Sequence, residues 1–115
     1  MIKSGLFFTN LTKKRINFAD FKNIYKKILS GWDLSVVFAD ATFMKNLNKK
    51  YRGKSKTANV LSFLLDKRRG EIFLNKNEKQ LSYLFVHACL HLLGYSHKTQ
   101  KNAKIMEQKE KEMVQ

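Results

Sequence analysis

The feature that most constrains this chain is the segment from His87 to His97, which contains all three histidines of the protein. His87 and His91 are four residues apart, so on an α-helix their side chains share one face, with Cβ atoms about 5–6 Å apart. Two imidazoles so placed can bind one zinc ion through bonds of about 2.0–2.1 Å. Gly94 predicts the end of this helix, because glycine readily adopts the left-handed conformation of a helix C-terminus. The chain can then turn back and bring His97 to the metal.

Three histidines with a fourth position left for water are typical of a catalytic zinc site, whereas structural zinc sites are usually closed by four protein ligands. Two histidines at this spacing are a weak signal alone, since many such side chains are ordinary core residues. The third histidine beyond Gly94, and the absence of histidine elsewhere, favour metal binding. We therefore predict that His87, His91 and His97 bind one Zn²⁺ ion, with another divalent transition metal as the alternative.

Length and cysteine content predict one domain over residues 1–115 in a reducing compartment. A chain of this length can bury a core without disulfides, and the single cysteine, Cys89, excludes an intramolecular disulfide. We interpret Cys89 as a small buried residue and not as a ligand. The sequence has no signal-peptide pattern and no apolar run long enough to span a bilayer. We expect a cytoplasmic protein without a membrane partner.

The charge predicts an anionic partner. Lysine and arginine number 23 against nine acids, a formal net charge of +14, which favours nucleic acid first and an acidic membrane surface second. No acid occurs between Ala41 and Leu65, or between Lys79 and Met106. The first of these acid-free segments carries a cluster of basic residues: Lys45, Lys49, Lys50, Arg52, Lys54 and Lys56.

Hydrophobic periodicity predicts alternating strands and helices. The predicted strands cover residues 4–10, 32–39, 59–65 and 71–74, and the predicted helices cover 18–29, 41 to about 50, about 76–93 and about 99–114. The near-continuous apolar strand 59–65 is expected to be central and buried on both faces, and to form a hairpin with the next strand. The pattern predicts an α/β or α+β domain with one mixed sheet.

The histidine spacing is shared with the metzincin metalloproteases, but those carry a glutamate general base directly after the first histidine, where this chain has Ala88. The chain more closely resembles the YbeY family of bacterial endoribonucleases, whose metal motif reads H-G-x-L-H-L-x-G-Y-D-H. Residues 51–54 (YRGK) and 59–63 (NVLSF) resemble two further family segments in the same order. Ala88 and Ser96 stand where the family has glycine and aspartate.

This resemblance implies an α/β (α+β) fold with one four-stranded mixed sheet and surrounding helices. It implies a zinc-dependent endoribonuclease that cleaves single-stranded RNA in small-subunit ribosomal RNA maturation and ribosome quality control. The expected partners are ribosomal RNA and the small ribosomal subunit. His87, His91 and His97 match the family's zinc ligands, His87 being counted as catalytic too, and Arg52 matches its functionally important arginine.

The expected chemistry follows from these residue types. Arg52 can bind a phosphate through two hydrogen bonds and stabilise transition-state charge. Four lysines are expected to contact the RNA backbone without reading its sequence: Lys45, Lys49, Lys54 and Lys56. Glu71 is the only acid that strand order places near the site, and no general base is evident. The 2′-hydroxyl of RNA is therefore an alternative nucleophile to water.

Two other functions remain open at this point. The first is a non-catalytic RNA- or ribosome-binding module with a structural metal, which the departures at Ala88 and Ser96 favour. The second is a small metallohydrolase with another substrate, although the missing glutamate after His87 argues against a peptidase.

Overall fold

The computed structural model of the protein describes residues 5–95 and 100–114. Along these residues the elements are β1 (Leu6–Asn10), α1 (Ala19–Ile28), β2 (Asp33–Ala39), α2 (Ala41–Arg52), β3 (Val60–Asp66), β4 (Arg69–Asn75), α3 (Leu81–Leu92) and α4 (Gln100–Val114). The strands form one sheet in the order β1-β2-β4-β3. β1 and β4 run parallel to β2, and β3 runs antiparallel to β4. The predicted four-stranded mixed sheet and the hairpin between its last two strands are confirmed.

The main core lies on the face of the sheet that carries α1 and α3. Strand β2 alternates as its sequence predicts, so that Leu34, Val36 and Phe38 all enter this core and are at most 1% exposed. Phe21 of α1 contacts Phe38 and Phe85 of α3 edge-to-face, with ring centroids 5.2 and 5.3 Å apart. Aromatic side chains thus join one strand and two helices, and the core holds α3 firmly against the sheet.

Strand β3 is at the edge of the sheet, which corrects the expectation that it is central and buried on both faces. Its last residues are open to solvent, with Leu64 60% and Leu65 58% exposed. The central position is taken by β4, which pairs with β2 on one side and with β3 on the other. Apolar periodicity could not distinguish these positions, because an apolar run does not show which strands pair.

The helix α2 covers the second face of the sheet near β3 and β4. It begins at Asp40, whose Oδ1 accepts a hydrogen bond from the Phe43 backbone N–H at 2.8 Å. It ends at Gly53, which has a φ of 65°. Gly53 takes this left-handed conformation without the clash that a Cβ atom would cause. Arg52 is therefore the last residue of a regular helix.

The histidine-bearing helix is shorter than predicted, since α3 begins at Leu81 and not near Lys76. The preceding segment is a turn in which Asn75 Oδ1 accepts a hydrogen bond from the Asn77 backbone N–H at 3.1 Å. Such side-chain bonds compete with helix formation. Among residues 5–95 and 100–114, no helix has both the length and the apolar character needed to cross a membrane.

Candidate metal centre

The two helix histidines converge as their spacing predicts. His87 and His91 lie in the second half of α3, and their Nε2 atoms are 2.9 Å apart. The residues between them hold the helix in place, because Ala88 and Cys89 are 1% and 0% exposed. The side chain of His87 is 25% exposed, so it is anchored in the fold yet open to solvent. The arrangement presents two imidazole nitrogens at one point on the surface.

Gly94 ends this helix, as the sequence predicts. It has a φ of 102°, its N–H donates to His91 O at 3.0 Å, and the Tyr95 N–H donates to Leu90 O at 3.1 Å. These two bonds form the Schellman motif, in which a left-handed glycine satisfies the last helix carbonyls. The chain leaves α3 directly after the histidines. His97 and Ser96 lie outside the described residues, and the role of His97 as third ligand stays a prediction.

A buried glutamate supports the first histidine. Glu110 of α4 is 1% exposed, and its Oε1 lies 3.2 Å from His87 Nδ1. Tyr83 donates a second hydrogen bond to Glu110, and this bond raises the pKa of Tyr83 to about 12. A carboxylate on Nδ1 leaves Nε2 of His87 directed outward and fixes the orientation of the ring.

The sequence reasoning missed Glu110. It follows the apolar Met106 by four positions, so helical periodicity places both on one face, and the structure buries both. The four-residue spacing from Met106 was the sequence feature that could have indicated a buried position for Glu110. The contact between Glu110 and His87 joins residues 23 positions apart, which local patterns do not predict.

A cleft of about 480 Å³ opens beside the histidines. It lies between the edge strand β3 and helix α3, with Arg52 at the end of α2 as a further wall. The lining residues are Arg52, Val60, Leu61, Ser62, Phe63, His87, Ala88 and His91. The structure thus brings the predicted arginine and both described histidines to one concave surface.

A second cleft of about 480 Å³ adjoins the first and shares Arg52 and His87 with it. Its walls include Lys54 and Lys56 from the loop between α2 and β3, and Glu110. Arg52 and His87 therefore lie where the two clefts meet. Of the four predicted RNA-binding lysines, Lys54 and Lys56 line the second cleft, whereas Lys45 and Lys49 are exposed on α2 and line neither cleft.

The expectation that Glu71 lies near the histidines is wrong. Ile72 and Leu74 of β4 enter the main core beside α3, so the alternating residue Glu71 points to the opposite face of the sheet. It lines a separate small cavity there. The acid beside the histidines is Glu110, which reaches them from α4.

The donor atoms fit a zinc ion. Two bonds of about 2.0–2.1 Å at a tetrahedral angle place the two nitrogens about 3.3–3.4 Å apart. The two Nε2 atoms lie 2.9 Å apart, so a side-chain adjustment of a few tenths of an ångström would let both bind one ion. Within residues 5–95 and 100–114, no group of three or more His, Cys, Asp or Glu side chains could hold a metal. Cys89 is a buried residue, as predicted, and burial raises the pKa of its thiol, which disfavours the thiolate that metals bind.

Comparison with known proteins gives concordant matches. The sequence profile of the family described as Endoribonuclease YbeY matches residues 7–115. The Endoribonuclease YbeY of Buchnera aphidicola is 32% identical over 91% of this chain and 79% of its own length. That of Neorickettsia sennetsu is 35% identical over 71% of each chain, and that of Campylobacter jejuni is 32% identical over 84% of this chain and 83% of its own.

A solved structure supports the fold. The solution structure of a Thermotoga maritima protein superposes with a TM-score of 0.65 and 24% identity, covering 96% of this chain and 87% of the other. At this identity the likeness concerns the fold alone.

Proposed function

Because the chain belongs to the YbeY endoribonuclease family, we propose that it is a zinc-dependent endoribonuclease that cleaves single-stranded RNA at the histidine cleft. The observation that carries this proposal is that Arg52 lines the same cleft as His87 and His91, whose Nε2 atoms converge. A phosphate-binding cation and a metal-binding pair in one open cleft suit phosphodiester cleavage.

In this proposal His87, His91 and His97 hold the metal. A bound zinc ion supplies Lewis acidity, which activates water and stabilises negative charge on a phosphate. The chain's own contribution is to keep the ligands in position, since Glu110 holds the His87 ring from behind and the buried part of α3 fixes both side chains. Preorganised ligands cost little reorganisation when the substrate arrives.

Arg52 and the neighbouring lysines bind the RNA backbone. Arg52 is exposed at the junction of the two clefts, where its guanidinium can donate two hydrogen bonds to the scissile phosphate. Lys54 and Lys56 line the adjoining cleft and neutralise flanking phosphates without selecting a sequence. The strand thus passes across Arg52, with one side of the cut in each cleft.

The biological substrate that we propose is ribosomal RNA, with the small subunit as the partner and the cytoplasm as the compartment. Maturation of small-subunit ribosomal RNA and ribosome quality control are the processes that the family resemblance implies. The net charge of +14 supports binding to a highly anionic assembly.

Metal removal tests the proposed function. We expect the zinc-loaded protein to cut a fluorescently labelled single-stranded RNA and to lose this activity after dialysis against a chelator, because the Lewis acid is then absent. Added zinc should restore cleavage, and a fully paired duplex of the same sequence should be cut far more slowly. Cleavage that is insensitive to the chelator, or equal on single strand and duplex, would contradict the proposal.

Replacing Glu110 tests the support of the metal ligand. We expect Glu110→Gln to lower zinc affinity about 10- to 100-fold, as loss of a carboxylate behind a metal-bound histidine generally does. The measurement is competition with a chromophoric zinc chelator, which needs no RNA cleavage. Glu112→Gln is the matched control, since this exposed acid of the same helix pairs with Lys109. Thermal unfolding of the metal-free proteins shows whether the fold survives, and unchanged affinity in folded Glu110→Gln would contradict the assigned role.

A further inference from the structure

A small cavity lies under α2, on the face of the sheet away from the histidine-bearing helix. Its volume is about 150 Å³. Helix α2 contributes two of its walls, and neighbouring residues of β3 and β4 contribute the others. The lining residues are Leu47, Tyr51, Phe63, Leu65, Glu71 and Phe73. Five of these side chains are aliphatic or aromatic, and Glu71 carries the one carboxylate among the described lining residues.

The cavity and the histidine cleft meet at the edge strand β3. Phe63 lines both this cavity and the histidine cleft. Tyr51 directly precedes Arg52, is 58% exposed and contacts Phe63 edge-to-face at a centroid distance of 5.4 Å. A nucleotide whose phosphate contacts Arg52 therefore has an aromatic-walled cavity beside it.

Aromatic rings next to a backbone-binding cation are typical of single-stranded RNA recognition. Unpaired bases stack on such rings, whereas paired bases in a helix are not available to them. Tyr95, the other aromatic residue near the histidines, packs against the main core. The Tyr51–Phe63 pair is thus the better placed stacking surface among the described residues.

Glu71 supplies a polar group inside this apolar setting. The residue is half-buried, and within the described residues its carboxylate forms no hydrogen bond or ion pair, although the chain carries 23 lysines and arginines. An ionised carboxylate accepts hydrogen bonds and donates none. A ligand that fits this position must be flat, largely apolar on its faces and able to donate hydrogen bonds from one edge.

We propose that this cavity binds one unpaired nucleobase next to the scissile phosphate, and that Glu71 selects guanine. Guanine carries two adjacent donors on its Watson–Crick edge, N1–H and N2–H, which match the two oxygens of a carboxylate. Adenine and cytosine present an acceptor beside their amino group, and the single donor of uracil lies between two acceptors. The inference rests on the proposed function, since it places the base of the RNA that the histidine cleft cleaves.

Base-substituted RNAs test the selection. The probes are single-stranded oligouridines that carry guanine, adenine or an abasic residue at one central position, and fluorescence anisotropy measures their binding to the metal-loaded protein. We expect the guanine probe to bind about tenfold more tightly than the others, the range of one bidentate base contact. Equal affinity for all probes, or no RNA binding at all, would overturn the inference.

Two variants locate the effect. Glu71→Gln should reduce the guanine preference to within about twofold of the adenine probe, and Tyr51→Leu should weaken binding of the guanine probe about fivefold or more through lost stacking. Glu112→Gln removes one negative charge elsewhere and should keep the preference. A guanine preference that persists in folded Glu71→Gln overturns the role of Glu71.

Binding and cleavage readouts separate this inference from the proposed function. Chelator-sensitive cleavage without any guanine preference would overturn the base site alone. A guanine preference that depends on Glu71 in a protein that does not cleave RNA would support the base site and contradict the nuclease.

Discussion

His87→Ala is expected to reduce chelator-sensitive cleavage of single-stranded RNA by about 10³-fold or more. The substitution removes one of the proposed zinc ligands, and loss of the metal takes with it several kcal/mol of transition-state stabilisation. It also removes the ring that Glu110 orients. The His87 side chain is 25% exposed, so its truncation leaves the apolar core intact. The measurement is the initial rate on a labelled oligonucleotide, with zinc content determined for the same samples.

The matched control for His87→Ala is Cys89→Ala. Cys89 lies on the same helix two residues away and is fully buried, so its replacement perturbs α3 without touching the cleft. This variant should retain zinc and cleavage. All proteins must be purified identically, because a contaminating ribonuclease would cut RNA in every sample. Equal rates for wild type and His87→Ala would contradict an active site at the histidines, and RNA binding without cleavage by either would favour a binding module.

The local part of the site could be predicted from sequence. His87 and His91 share a face because the helix repeat fixes residues four apart, and Gly94 ends the helix because few other residues tolerate its φ of 102°. These features depend on neighbours within one or two turns. The same holds for Asp40 at the start of α2.

The parts that the sequence did not predict depend on contacts between distant segments. Glu110 contacts His87, which is 23 positions away in the sequence. The periodicity of α3 or α4 does not predict which helices pack against each other. The alternation of β4 predicts that Glu71 points to the opposite side of the sheet from Ile72 and Leu74. Only the three-dimensional packing shows that α3 lies on the side of Ile72 and Leu74. The start of α3 was misplaced because the side chain of Asn75 forms a turn where apolar spacing suggested a helix.

The position of β3 at the edge of the sheet, and not at its centre as predicted, matters for the proposed active site. A central strand would have both edges paired, and no open space would lie between it and α3. Among the described strands β3 pairs with β4 alone, and its outer edge and α3 bound the histidine cleft. The edge position also makes Phe63 accessible to both cavities. The apolar run from Val60 to Leu65 therefore serves the site as well as the core.

Arg52→Ala is expected to lower kcat for RNA cleavage about 10²- to 10³-fold, the range found when one preorganised donor to transition-state charge is removed. Arg52→Lys should recover only part of this loss, because an ammonium cannot reproduce the two parallel hydrogen bonds of a guanidinium to a phosphate. Zinc affinity should stay unchanged in both variants, since Arg52 is not a ligand. The measurement is single-turnover cleavage together with chelator competition.

The control for Arg52→Ala is Lys26→Ala, which removes one positive charge from the exposed surface of α1, far along the chain from the cleft residues. It should leave kcat unchanged and alter the KM only slightly, in a salt-dependent manner. This comparison separates a bound guanidinium from the general effect of net charge. If Arg52→Ala raised the KM as Lys26→Ala does and left kcat intact, Arg52 would be an ordinary RNA-attracting surface residue. A fall in kcat that Arg52→Lys restores in full would show that positive charge suffices and that the bidentate geometry is unnecessary.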